Sequence, residues 1–417
     1  MIYIFDDRVV KNDIKWIVPI LVLPRMIMNV ANVPFGPFVT STCFFCVFLF
    51  LFRYASFRGL IKCGPLLLWG GLILYHCINS YLKHVPTMRP VDYYHALKMY
   101  CAVCIYSYLF CVDLKSTSKY LAISIFLWLI MACSISGFGY SGGNRLSGEM
   151  VVAVSFGKYS AMLVVCLTYY AAVMKKNWSE LLFLSIPSAI IIFLSQTRNA
   201  FGMCCIQLMG FYLGVKMKGR VNVSAIGRVL FLFIIIFFGI TFMLEHTNIG
   251  ARFQEKKSLN YYELKGLATG TVFDKIAGER LIYYVNGYKL FLNNPVTGIG
   301  YKNYANKSGG IYPMHVEYMV HLCEGGLIAA FLFVSFLYCM ARNIIKKGYD
   351  RPAFILLAST FILQIFTSAY SSSFGQEVPV LIYGLLIAAG SPFVSLSGKH
   401  FDQICCEKKY YRVVIAE

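Results

Sequence analysis

KKNWSELLFLSIPSAIIIFLSQTRNAFG, residues 175–202, holds the logic of the whole chain in one segment. Lys175 and Lys176 precede an apolar run from 178 to 195. A very short turn around Arg198 follows, and a second apolar run extends from 199 to 217. A run of about 20 apolar residues matches the hydrocarbon thickness of a bilayer when it is helical. Two such runs joined by a few residues predict adjacent antiparallel helices, with the lysine pair at one membrane face and Arg198 at the other.

The same unit recurs along all 417 residues. Apolar runs occupy 15–34, 36–52, 61–82, 94–112, 119–136, 150–174, 178–195, 199–217, 224–243, 318–341, 353–372 and 377–396. Hydrophobic residues make up 58% of the chain and charged residues only 14%, against about 25% charged in soluble domains. The runs are continuous rather than alternating, which excludes a β-barrel. The predicted fold is an all-α polytopic membrane protein of about 12 transmembrane helices. Residues 1–244 carry helices one to nine, and 245–317 form one large periplasmic loop with short helices of its own. Residues 318–396 carry helices ten to twelve, and 397–417 form a basic cytoplasmic tail.

Charge placement orients this bundle. With the N-terminus cytoplasmic, the inner segments hold 22 Lys and Arg, among them Arg53, Arg58, Lys175, Lys176, Arg342 and Lys346. The short outer loops hold four: Lys83, Arg89, Arg145 and Arg198. Positive charge gathers on the cytoplasmic side, so both termini are expected there. The net charge of +19 is then a topology signal with a secondary attraction to anionic membrane lipids, and no nucleic-acid partner is implied.

Three arginines and one histidine on the outer face are the candidates for chemistry. Arg145 lies in the Gly-rich loop GGNRLSGE, Arg198 in SQTRNAFG, and Arg280 opens a stretch with near-helical apolar spacing, ERLIYYVNGYKLFLNN. The turn PVTGIG (295–300) and IYPMHVEYMVHLCEGG (311–326) follow, the latter with His315, Glu317, His321 and Glu324. Guanidinium groups suit bidentate binding of phosphate oxygens; an imidazole suits proton removal near neutral pH. His321, deeper in its helix, reads as structural. Arg25, Lys98 and Lys158 are intramembrane charges of lower rank. Fifteen cysteines are scattered along the chain, Cys43, Cys46, Cys101, Cys104, Cys204 and Cys205 within apolar runs, without metal spacing; no P-loop is present, and no cofactor or metal is expected.

Taken in order, Arg280, the aromatic Tyr284 four residues on, Pro295, Gly298 and Gly300, then His315, Glu324 and Gly326 resemble the signature region of the O-antigen ligase and O-antigen polymerase superfamily. SQTR and NRLSGE are similar to that family's further Arg turns. Two positions depart from the pattern. Tyr284 stands where Trp is usual, and Val316 and Glu317 follow the His where Asn or Ser is common. The resemblance implies an integral-membrane glycosyltransferase whose donor is an oligosaccharide on undecaprenyl pyrophosphate. It casts Arg145, Arg198 and Arg280 as pyrophosphate ligands and His315 with Arg280 as the catalytic pair. Tyr283, Tyr284, Glu317 and Glu324 become sugar-binding or supporting residues. A polymerase of O-antigen repeat units, with a chain-length regulator as partner, is the favoured branch. Transfer to lipid A–core by a ligase, or transport of the lipid-linked glycan by a flippase, are the alternatives.

Overall fold

A computed structural model describes residues 7–30, 36–135, 140–141, 145–146, 153–176, 178–195, 198–216, 227, 280–308, 314, 316–369 and 377–391. Almost all of these are helical. In hydrocarbon every backbone N–H and C=O must be satisfied within the protein, and a helix does this locally. The elements are α1 (Asp7–Val30), α2 (Gly36–Leu51), α3 (Ala55–Ile61), α4 (Gly64–Leu82), α5 (Pro90–Val112), α6 (Leu114–Ile135), α7 (Ala153–Val173), α8 (Trp178–Ser195) and α9 (Arg198–Phe211). Then come α10 (Arg280–Asn293), α11 (Tyr304–Ser308), α12 (Gly326–Lys346), α13 (Arg351–Ser368) and α14 (Glu377–Gly390). Two-residue strands β1 (Tyr140–Ser141) and β2 (Arg145–Leu146) pair antiparallel between α6 and α7.

Each apolar run coincides with one of these helices except 224–243, which apart from residue 227 lies outside the described residues. By length and composition, α5, α6, α7, α12 and α13 each contain a stretch long and apolar enough to cross a membrane. α2 and α3 add a broken span bent by 116°. The number of crossings is therefore five or six by that test among the described residues, and twelve is not reached by it. α12 also begins later than the run 318–341 predicts. Residues 320–324 form a wider π turn, and Gly326, at φ +68°, starts the helix proper. The reason is local: buried polar side chains at Glu317, His321 and Glu324 and a left-handed glycine replace the even apolar surface that a spanning helix needs.

Some packed pairs are neighbours in sequence, as α6 on α7 and α7 on α8, and others join distant parts of the chain: α14 on α5, α9 on α13, α4 on α12. The register of α9 on α13 is set by small residues. A Cβ on Gly202 would lie 2.8 Å from the Phe366 ring, one on Gly210 would strike Ser359, and one on Gly214 would lie 2.6 Å from the Pro352 carbonyl. Such close approach is how helices associate where no hydrophobic force distinguishes lipid from protein. Buried hydrogen bonds pin the same interface: Gln207 Nε2 donates to Thr168 Oγ1 at 2.9 Å, and Thr360 Oγ1 donates to Gln207 Oε1 at 3.1 Å. The outward side of α12 carries Leu327, Phe331, Val334 and Tyr338, with Phe331 73% exposed. An apolar stripe of that length on a bundle is a lipid-facing surface.

Candidate functional site

The PVTGIG turn is sewn to the π turn by backbone atoms alone. Ile299 N–H donates to the Cys323 carbonyl at 3.0 Å, Gly300 N–H to the Glu324 carbonyl at 2.9 Å, and Leu327 N–H to the Pro295 carbonyl at 2.8 Å. A π turn displaces its carbonyls from the α-helical ladder, and here two of them accept from the turn. The glycines make this approach possible. Gly298 has φ +64°, and a Cβ there would sit 2.6 Å from the Cys323 carbonyl oxygen. α4 grips both partners: Tyr75 Oη donates to the Gly325 carbonyl at 2.9 Å, Asn79 Nδ2 to the Thr297 carbonyl at 2.7 Å, and Ser80 Oγ accepts from Tyr301 N–H at 2.8 Å. Lys83 Nζ donates to the Gly298 carbonyl, and Lys302 Nζ meets Asp92 at 2.5 Å.

Below this stitch lies a buried polar cluster. Glu317, 0% exposed, accepts from Ser368 Oγ at 2.6 Å, and its second oxygen is 3.8 Å from His321 Nε2. His321 Nδ1 and His76 Nε2 share a hydrogen bond at 3.0 Å.

The predicted site residues fall around one structural landmark, the C-terminal end of α13. Tyr284 Oη donates to the Ala369 carbonyl at 3.3 Å, which brings the start of α10, with Arg280 one turn earlier, to that end. Gly202 against Phe366 brings the start of α9, with Arg198 one turn earlier, to the same end. Glu317 on Ser368, and Tyr318 Oη on the Ile365 carbonyl at 2.9 Å, bring residues 317 and 318 there too. Arg145 is in β2, which packs on α8. For Arg145, Arg198 and Arg280 the description extends to the backbone. His315 lies outside the described residues, between Met314 and Val316, which are both buried. Tyr283 is 8% exposed and packs on Tyr304 at 5.7 Å between ring centroids, so its ring is committed to the fold. Sequence reasoning missed His76, Asn79, Ser80 and Ser368.

The family model described as O-antigen ligase matches residues 181–334. That segment is similar to the O-antigen ligase and polymerase superfamily, in agreement with the resemblance read from the sequence. The matched segment, less than half of the chain, runs from α8 into α12 and takes in Arg198, Arg280, the PVTGIG turn, His315 and the π turn; Arg145 precedes it. No curated protein matches the chain significantly.

Within the matched segment Glu324 has a definite electrostatic task. It lies ahead of the spanning helix, fully buried, and accepts from Tyr304 N–H at 3.1 Å. Burial pushes its carboxyl up from 4.5 to about 7, with backbone donors at Lys302 and Tyr304 and the Lys302 charge opposing that rise. Between those two values the folded protein holds a proton that the unfolded chain has released. Stability therefore falls as pH rises through this window, by up to about 3 kcal/mol for a shift of this size. Glu324→Gln is expected to flatten that decline in melting temperature between pH 4.5 and 7 in detergent.

Proposed function

We propose that this protein polymerises lipid-linked oligosaccharide repeat units at the periplasmic face of the inner membrane. The match of residues 181–334 to the family model supports glycosyl transfer from a lipid-linked glycan. The observation that carries the reading to a site is the meeting of three segments at the end of α13: the parts of α9 and α10 that lie one turn beyond Arg198 and Arg280, and the chain at Glu317 and Tyr318, two and three residues beyond His315.

The chemistry balances on these residue types. A sugar hydroxyl of the acceptor attacks the anomeric carbon of the donor glycan. A new C–O bond forms there as the bond to pyrophosphate oxygen breaks. His315 takes the hydroxyl proton as general base. The undecaprenyl pyrophosphate leaves with one more negative charge, which Arg198 and Arg280, with Arg145, stabilise by charge-assisted hydrogen bonds. Breakage at the pyrophosphate oxygen puts the growing charge where guanidiniums act best. A chain-length regulator would act on this polymerase from outside the chain.

The description of the matched family favours a second reading, in which the same donor is transferred to lipid A–core. Reconstitution in nanodiscs with purified lipid-linked repeats separates the two. A ladder of products from repeats alone is expected. Product only after lipid A–core is added would instead identify a ligase. Neither product, with lipid-linked glycan moving across proteoliposomes, would replace both by a transporter.

A further inference from the structure

We propose that Glu317 is a positioning residue for the reacting segment, and that His321 and His76 hold it in register. The inference rests on the glycosyl-transfer reading and extends it to residues that make no contact with the reacting atoms. A carboxyl and two imidazoles buried together are an expensive filling for a helix bundle. Polar groups of this kind cost several kcal/mol to desolvate unless paired, and apolar residues of like volume would pack at lower cost. Their arrangement is directional. Glu317 sits two residues beyond His315, behind Val316, whose backbone is extended (φ −93°, ψ 115°). One oxygen is tied to Ser368 in the last turn of α13. The other faces His321, which the π turn brings inward and which is itself bonded to His76 on α4. The Phe333 ring lies 4.2 Å from the His321 ring, and His321 has little room to move.

Four elements are thereby locked at one point: the segment at 316–319, the π turn, α4 and the end of α13. That last element is also the landmark against which the starts of α9 and α10 are set. Fixing Glu317 on Ser368 fixes the reacting segment relative to both Arg-bearing helices, and misplacement by a fraction of an ångström is costly in glycosyl transfer. Aromatic Tyr383 closes the cluster beside Glu317, Gln364 and Ser368.

The test uses Glu317→Gln, His321→Gln, the double variant, and Ser368→Ala as the mildest change, all in the full chain in nanodiscs. Lipid-linked glycan extracted from the host serves as donor. Each of the first two is expected to lower kcat about tenfold with KM within about twofold, and the double to lose no more than the worse single, because residues acting as one unit are not additive. Hydrogen exchange over 316–319 is expected to quicken while α5 stays unchanged. Multiplicative losses, or wild-type kcat and exchange in both single variants, would overturn the proposal. If wild-type protein transfers no glycan, the enzymatic reading has failed, and exchange alone decides on Glu317: an unchanged rate over 316–319 refutes its anchoring role.

Discussion

Gly326→Ala is expected to remove the folded protein, with a loss of more than about 4 kcal/mol, a size reserved for a few mechanisms. Two of them act here at once. Gly326 has φ +68°, a conformation that costs an L-residue roughly 1–2 kcal/mol. Its missing Cβ would also overlap the Val296 carbonyl oxygen and approach Gly298 N and the Val296 carbonyl carbon, each at 2.5 Å. These are backbone atoms, and no rotamer change relieves them. The strand of chain at 295–300 would have to leave the π turn, breaking the bonds from Ile299, Gly300 and Leu327 together. Yield of monodisperse protein from membranes, scored beside Gly348→Ala, makes the measurement specific. Gly348 has φ +64° but nothing within 4 Å of its Cβ position, so that variant carries the conformational cost alone. A Gly326→Ala protein as well behaved as Gly348→Ala would refute the close-approach account.

The two glycine motifs were legible as turn chemistry, but their partnership was not. Nothing in the spacing of PVTGIG says that its amides meet the carbonyls of Cys323 and Glu324, since that contact depends on a π turn whose only trace is the pair Gly325–Gly326. Helices were legible because lipid leaves the backbone little choice. Apolar runs and helices therefore coincide within a few residues, and the ends slip where a polar group is buried, as at α12. Within the site, Arg198 stood out as a cation in a very short outer turn, and Arg280 through the order Arg280, Tyr284, PVTGIG, His315, patterns that need no structure to see. His76 and its bond to His321 span 245 positions in the chain and could not be paired by eye. A weaker signal did exist in YHCINSYLKH. Tyr75 and Asn79, and His76 and Ser80, recur at a spacing of four near the end of an otherwise apolar helix, which is the mark of a polar face turned inward.

Arg280→Ala and Arg198→Ala are each expected to cut glycan transfer by about 100-fold or more, the usual cost of removing one donor to a developing oxyanion. A melting curve makes that prediction separable from folding. Packing carries the described parts of α9 and α10 to the end of α13. If the two arginines act on the pyrophosphate and not in holding the bundle, alanine is expected to leave melting temperature level. Lysine variants retain charge without the planar fork and are expected to recover only part of the rate. Undecaprenyl pyrophosphate added as a product inhibitor supplies the second reading. Its inhibition constant is expected to rise in both alanine variants and to stay at the wild-type value in Lys307→Ala, a cation on α11 with no part in the proposed clamp. Full transfer activity in Arg280→Ala and Arg198→Ala would dismantle the pyrophosphate clamp, and parallel loss of activity and melting temperature would reassign both arginines to the fold.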